Sequence, residues 1–373
     1  MTRVGAFLFL VRCLAPDDRG ATRAKITRQM ARGRVDWPSV VGIASEHWMT
    51  VALYRELGEK GLLDALPPDL IEYFEFLQQA NRSRNEAILR DAGEIAGLLN
   101  EIGVEPVLLK GACHLISGLY PDPAMRFLYD LDILVPDDRA LECWQRLVAV
   151  GYRIAQQDLS PENLADDHWP ELVREGHMAE VEVHRVAEWR PPLGSPGLYA
   201  NQMSVRLSGG KARIPDPTCR LIFALAHAFV HHRVRFKAQA HLRDLYDATW
   251  LLRRHGAEID WARVVDAFES AGEGEALRQG LGMWRRLFVR TPPFETDSSL
   301  GASLYWPRCL LDVAKPQIAT MFELVAQNAS LLTGGLARTP RGRELRQALK
   351  QPSVLLRKAR FAARTWAGAP GEK

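Results

Sequence analysis

The run LYDLDILV at residues 128–135 constrains this chain more than any other stretch. Apolar and polar residues alternate along it, so it reads as a half-buried strand. It stands in a chain whose long flanking segments instead repeat apolar residues at three and four, the period of helices. Residues two apart in a strand share a face, so Asp130 and Asp132 project together while Leu131 and Ile133 enter the core. Two carboxylates so close repel one another, and a divalent cation relieves the repulsion. Mg²⁺ suits such a pair because it prefers carboxylate oxygens together with substrate phosphates. Taken alone, the pair is weak evidence for a metal, since most such pairs are solvated strand edges or caps.

The neighbourhood sharpens that reading. Glu105–Leu109 (EPVLL) is a short apolar run with the character of a buried strand, and Ala112–Leu119 suits a helix. Lys110-Gly111-Ala112 lies at their junction, where glycine lets backbone N–H groups approach a phosphate at a helix N-terminus. Arg126 precedes the aspartates and offers a planar donor for phosphate oxygens. Further on, Val181–Val186 is a candidate strand, and Ala179–His184 (AEVEVH) would place Glu180, Glu182 and His184 on one face. A carboxylate from that second strand could complete a metal site or accept a proton from an attacking hydroxyl. A solvated strand face is the plain alternative.

Residues 1–100 are expected to be helical. Ser39 could cap a helix running through Tyr54 and Leu57, and Pro67-Pro68 marks a break before a periodic segment to Asn100. Its polar run, Asn81 to Glu86, reads as a solvated helix face. Pro136-Asp137-Asp138 starts a further helix that Gly151 closes. Gly209-Gly210 and Pro215-Asp216-Pro217 mark a join to helices over 217–232, 241–254 and 261–270. His227 and His231 are four apart on the first of these, with His232 beside them. Ala228 stands where a zinc protease motif needs Glu, so packing under a cleft or contact with an acceptor is the better expectation. Asp244 and Asp247 could orient these histidines or form ion pairs on their own helix.

Composition bounds the function more weakly. A net charge of +3 is too small to argue for nucleic acid by itself. No stretch has the length and apolarity of a membrane span. Val4–Val11 is apolar but is read as folded chain rather than a leader. The five cysteines are odd in number and contain no C-x-x-C pair, which points to reduced thiols and a cytoplasmic protein. Between Arg338 and Arg364 nine Lys or Arg accompany one acid, a basic tail best read as a solvated or packed helix.

The run Leu108-Leu109-Lys110-Gly111, Tyr120, Arg126, Asp130-Leu131-Asp132-Ile133-Leu134-Val135, Gly151-Tyr152 and Glu182-Val183-His184 resembles the uncharacterised nucleotidyltransferase family of bacteria, within the DNA polymerase beta-like superfamily. The resemblance covers about residues 100–185 and continues more weakly through Leu225-Ala226-His227 and Leu242-Arg243-Asp244-Leu245. It implies an α+β fold: a small mixed-sheet nucleotidyltransferase core at 101–212, flanked by an N-terminal helical region (1–100), a C-terminal helical region (213–335) and the basic tail (336–373). It implies Asp130, Asp132 and Glu182 as catalytic metal ligands, and Lys110, Gly111, Ala112, Arg126 and His184 around a nucleoside triphosphate. Two departures stand out. Ala112 lacks the hydroxyl that many relatives carry there, and the third carboxylate is Glu rather than Asp, with Glu180 competing for the place.

The implied chemistry uses two Mg²⁺ ions, or Mn²⁺ in their stead. An acceptor hydroxyl attacks the α-phosphate and expels pyrophosphate. The acceptor is a small molecule, a protein or RNA, and neither it nor the base is legible. A catalytically inactive nucleotide-binding module, and a toxin-type enzyme acting on tRNA or protein, are the competing expectations.

Overall fold

The computed structural model describes residues 1–16, 20–155, 169–185, 201–231, 239–288 and 300–315. The basic tail and His232 lie outside the described residues. Residues Met1–Ala314 form one compact unit. The chain begins with α1 (Arg3–Leu14), α2 (Ala21–Ala31), α3 (Trp37–Glu46), α4 (Thr50–Glu59) and the long α5 (Pro68–Asn100). The core follows as β1 (Val107–Leu108), α6 (Lys110–Ile116), β2 (Asp130–Leu134), α7 (Ala140–Ala149), β3 (Arg153–Ile154), β4 (Leu172–Val173), β5 (Glu180–His184), β6 (Gln202–Arg206) and β7 (Lys211–Pro215). Then come α8 (Pro217–Ala226), which runs on into a π-helical turn (His227–His231), α9 (Leu242–His255), α10 (Trp261–Ser270), α11 (Gly274–Leu287) and α12 (Leu300–Ala314). No described helix is long and apolar enough to cross a membrane.

The fold is α+β, with one mixed seven-stranded sheet in the order β3-β4-β5-β2-β1-β7-β6. The pairs β2/β5 and β1/β7 are parallel and the rest antiparallel. β2 and β5 owe their central place to their inner faces: Leu131, Ile133, Val181 and Val183 are all buried. Their parallel register sets Asp130 against Glu180, Asp132 against Glu182 and Leu134 against His184. Partners in register share a face, so the acids of both strands stand on one side of the sheet.

Three expectations need correction. The helix expected from Ser39 through Leu57 is two helices, and Asp36 caps the first, its carboxylate accepting from the Ser39 N–H at 3.2 Å. The chain turns between them at Trp48, which takes a left-handed backbone (φ 59°). The polar run of α5 is not a solvated face, since Asn81 and Asn85 are buried. Finally, Gly209-Gly210 is the tip of the β6–β7 hairpin rather than a join between regions.

That hairpin tip lies directly on α5. A Cβ at Gly97 would fall 2.4 Å from the Gly209 carbonyl oxygen, and one at Gly210 would fall 2.4 Å from the Gly97 nitrogen. Backbone therefore meets backbone, which side-chain adjustment cannot relieve. Alanine in a helix interior gains roughly 1 kcal/mol over glycine, whereas overpacking costs about 1–3 kcal/mol. The clash with a carbonyl puts Gly97→Ala at the upper end of that range. A net loss of stability in urea unfolding is expected, and a stabilised variant would contradict the docking of hairpin on helix.

Candidate active site

Asp132 is 2% exposed and lies at the centre of a polar cluster. Lys110 Nζ donates to its Oδ1 at 2.5 Å and stands 3.9 Å from Glu182 Oε2. His184 Nε2 is 2.9 Å from Asp132 Oδ1 and 3.1 Å from Glu182 Oε2. Burial works against the Asp132 charge, but Lys110 and His184 outweigh it and hold the carboxyl well below the usual range. Burial likewise opposes the charges of Lys110 and His184, and the surrounding carboxylates raise both all the same. Asp130 is raised, first by burial and then by Asp132. It makes no ion pair among the described residues.

Local geometry accounts for the glycine. The chain leaves β1 and enters α6 at Lys110, which has a left-handed φ of 43°. A Cβ on Gly111 would come within 2.2 Å of Leu128 Cδ2 and 3.5 Å of Arg126 Cζ. Glycine is thus required for the segment before β2 to pass close over the start of α6. Ala112 is buried in the core. The N–H groups of Lys110, Gly111 and Ala112 belong to the first turn, where a helix has no acceptor of its own to offer.

A cleft separates this cluster from the C-terminal helices, with Lys110, Arg126, Asp130, Arg220, Arg243 and Asp244 in its walls. Arg126 does not simply point at it. Its Nε bonds Asp247 Oδ1 and Oδ2 at 3.1 and 3.0 Å, and its Nη1 donates to the Phe127 carbonyl at 2.6 Å. Tyr120 donates to the same Asp247 carboxylate. Arg126 Nη2 is the edge left without a hydrogen bond among the described residues. Asp244 pairs with His227 Nδ1 at 2.8 Å, and the His227 and His231 rings stack at 5.0 Å. Burial disfavours the Asp244 charge, yet His227 overcomes it and lowers the carboxyl far below its ordinary value. Asp244 thus orients His227, whereas Asp247 serves Arg126 and Tyr120.

Sequence reasoning missed Arg220. It is 3% exposed, on α8, and bonds Ser117 Oγ at 2.7 Å and His114 Nδ1 at 3.2 Å through Nη2. Its Nε and Nη1 are buried without a hydrogen-bond partner among the described residues. Two such donors on a buried cation call for an anion or ordered water. A lone arginine in the otherwise apolar PTCRLIFALA was the available signal.

It also missed the clamp on the segment leading into β2. Asn81 Nδ2 donates to the Ala124 carbonyl at 2.6 Å, and Asn85 Nδ2 donates to Pro123 and Arg126 carbonyls, both at 2.8 Å. Arg84 Nε adds a bond to the Leu128 carbonyl at 2.8 Å. Asn81 and Asn85 are four apart on α5, so one helix face holds the whole segment. Asn85→Ala leaves buried carbonyls unpaired and is expected to cost about 1–3 kcal/mol in chemical unfolding. A change of a few tenths would show that the clamp contributes little.

Among the described residues, one group of three or more metal-capable side chains brings its ligand atoms together: Asp132, Glu182 and His184, all within 4.8 Å of one another. Glu182, not Glu180, is the acid beside Asp132 in this cluster. Comparison with known families then decides the kinship: the model described as an uncharacterised nucleotidyltransferase matches residues 33–289. The chain belongs to that nucleotidyltransferase family. The match reaches well beyond the 100–185 motif, from α2's end through α11. No match was found among curated proteins. Among solved structures, an antigenic nucleotidyltransferase-like protein from Paracoccidioides brasiliensis is similar at 14% identity, over 51% of this chain and 92% of that one, with a TM-score of 0.32. At that TM-score the likeness carries no argument about this site.

Proposed function

We propose that this nucleotidyltransferase-family protein moves a nucleoside monophosphate from a nucleoside triphosphate to an acceptor hydroxyl, releasing pyrophosphate, with two bound Mg²⁺ ions. The register of β2 on β5 carries the reading, because it aligns Asp130 and Asp132 with Glu180 and Glu182 on one face. The donor set fits the metal: carboxylate oxygens suit Mg²⁺, and the nearby imidazole leaves Mn²⁺ acceptable. Asp130, Asp132 and Glu182 would hold the ions. Metal bound there supplies positive charge to the attacking and leaving oxygens of an in-line displacement.

The chain's own residues do the rest. The Gly111 turn presents backbone N–H groups to the triphosphate. Lys110, Arg126 Nη2 and the two unpaired donors of Arg220 supply cations along the cleft, where charge-assisted hydrogen bonds to phosphate are strongest. His184 fixes Asp132 and Glu182 relative to each other. Glu182, arriving from its separate strand, receives the proton of the attacking hydroxyl. Five buried cysteines, none of them joined in a disulfide, fit a reducing compartment, which we take to be the cytoplasm.

Calorimetric titration of each triphosphate with and without Mg²⁺ tests the reading. Metal-dependent binding is expected, weakened at least about tenfold in Arg220→Met. Absence of any metal-dependent binding would overturn it.

A further inference from the structure

The N-terminal helices carry cavities outside the candidate active site. A cavity of about 440 Å³ opens between the α3–α4 turn, α5 and the segment before β2, with Trp48, Tyr73, Asn81, Arg84, Phe127 and Met178 among its walls. Its volume is in the range of small-molecule sites. Trp48 is 48% exposed despite its size. Its left-handed backbone costs of order 1 kcal/mol, a strain with no return in core packing. Its ring stacks on Phe127 with centroids 4.6 Å apart and planes 13° apart, and the Arg84 guanidinium lies 5.2 Å from the Phe127 ring centre. Asn81 is 6% exposed, and its Oδ1 accepts no hydrogen bond although its Nδ2 donates to the chain. An aromatic shelf with an unused acceptor suits a flat ring that carries an N–H donor.

A second cavity, of about 320 Å³, lies on the same helical region. Arg12, Lys25, Arg28, Gln29, Arg32 and Arg34 line it. None of its five cations forms an ion pair with a carboxylate among the described residues, and Arg12 bonds only the neutral Gln29, at 2.9 Å. This groove therefore carries more positive charge than the +3 of the whole chain. α1 packs both against α2, which lines the cationic cavity, and against α3 and α4, whose connecting turn carries Trp48. Phe7 touches His47, the residue before Trp48, with ring centroids 6.1 Å apart. Arg12 lies five residues further along the helix, about 7.5 Å by helical rise. On the other side, Phe127 is three residues from Asp130, so their Cα atoms are at most about 11 Å apart.

We infer that this surface binds a single-stranded nucleic acid, a base stacking on the face of Trp48 turned away from Phe127 and the phosphates following the cationic groove; that this strand is the acceptor rests on the proposed transfer activity. A cationic track combined with aromatic platforms is how proteins hold single strands. At the cationic groove an anionic membrane fits less well, because α2 turns its Ile26 inward and exposes no large apolar residue there for insertion. An exocyclic amine or ring N–H of the stacked base would meet Asn81 Oδ1.

The test is fluorescence anisotropy of the full chain with a labelled single-stranded RNA 12-mer, across a range of salt. Trp48→Ala is expected to weaken binding at least about fivefold without changing the salt dependence, and Trp48→Phe to restore most of it. Arg28→Glu with Arg32→Glu should weaken binding and reduce the log–log salt slope by at least about 1.4. Both positions are exposed, and unchanged melting temperatures would confirm intact folding. No binding, binding indifferent to both variants, or tighter binding to phosphatidylserine vesicles would overturn the inference. Asp132→Asn is expected to bind the 12-mer as wild type does. Intact binding without nucleotide transfer by wild type would therefore overturn the proposed activity and leave the binding surface standing.

Discussion

Asp132→Asn is expected to lower nucleotide transfer by about a hundredfold to a thousandfold. The loss follows from position, since this carboxylate is the shared partner of Lys110 and His184 and lies with Glu182 in the one metal-capable group among the described residues. Asparagine keeps the shape but removes the charge that a divalent cation requires. Some loss of stability accompanies it, because Lys110 is left with Glu182 at 3.9 Å as its nearest remaining carboxylate in the cluster. Asp130→Asn separates the two effects. Asp130 has no ion pair to lose among the described residues, so its variant should match wild type in thermal unfolding and still lose transfer. Wild-type transfer by either purified variant would contradict the assignment of the pair.

Asp247→Ala is expected to be the most damaging single change to stability. Asp247 and Arg126 are both buried, and the carboxylate also takes the Tyr120 hydroxyl. Burial opposes the Arg126 charge, and Asp247 outweighs burial to keep it charged. Removing the acid strands a guanidinium in the interior, for which the cost of breaking a buried pair is about 3–5 kcal/mol. Denaturant unfolding should show that loss, and Asp247→Asn should show a smaller one because its amide oxygen still accepts hydrogen bonds. The pair spans the cleft from the segment before β2 to α9, so the same variant should also free Arg126 and weaken triphosphate binding. A loss below about 1 kcal/mol would mean that Arg126 finds another partner.

The parts of this molecule that were legible in its sequence are those where one residue's position implies another's. Period-two alternation at 128–135 located β2 and set Asp130 and Asp132 on one face, and the same pattern at 180–184 located β5. What stayed hidden depends on partners far along the chain. Asn81 and Asn85 look like solvent-facing residues until carbonyls some forty positions away descend on them. Arg126 invites a phosphate role, and only the fold reveals Asp247 behind it. The β6–β7 hairpin carries QMSVR, too polar to announce a strand, and its register is held by pairing and by glycine contacts with α5. The choice between Glu180 and Glu182 was open in sequence because both share a face. The fold brings Glu182 to His184 and Lys110, and whether it is the acid that completes a metal site is part of the proposal above.

The most direct test follows two phosphorus labels through one reaction. Wild-type protein is incubated with Mg²⁺, cell extract and each triphosphate in turn, labelled at the α-phosphate or at the γ-phosphate. Nucleotidyl transfer predicts α-label joined to a macromolecular or small-molecule acceptor, and γ-label released as pyrophosphate, both absent with Asp132→Asn. Transfer of the γ-label to an acceptor, or no acceptor labelled from any α-phosphate, would contradict the account.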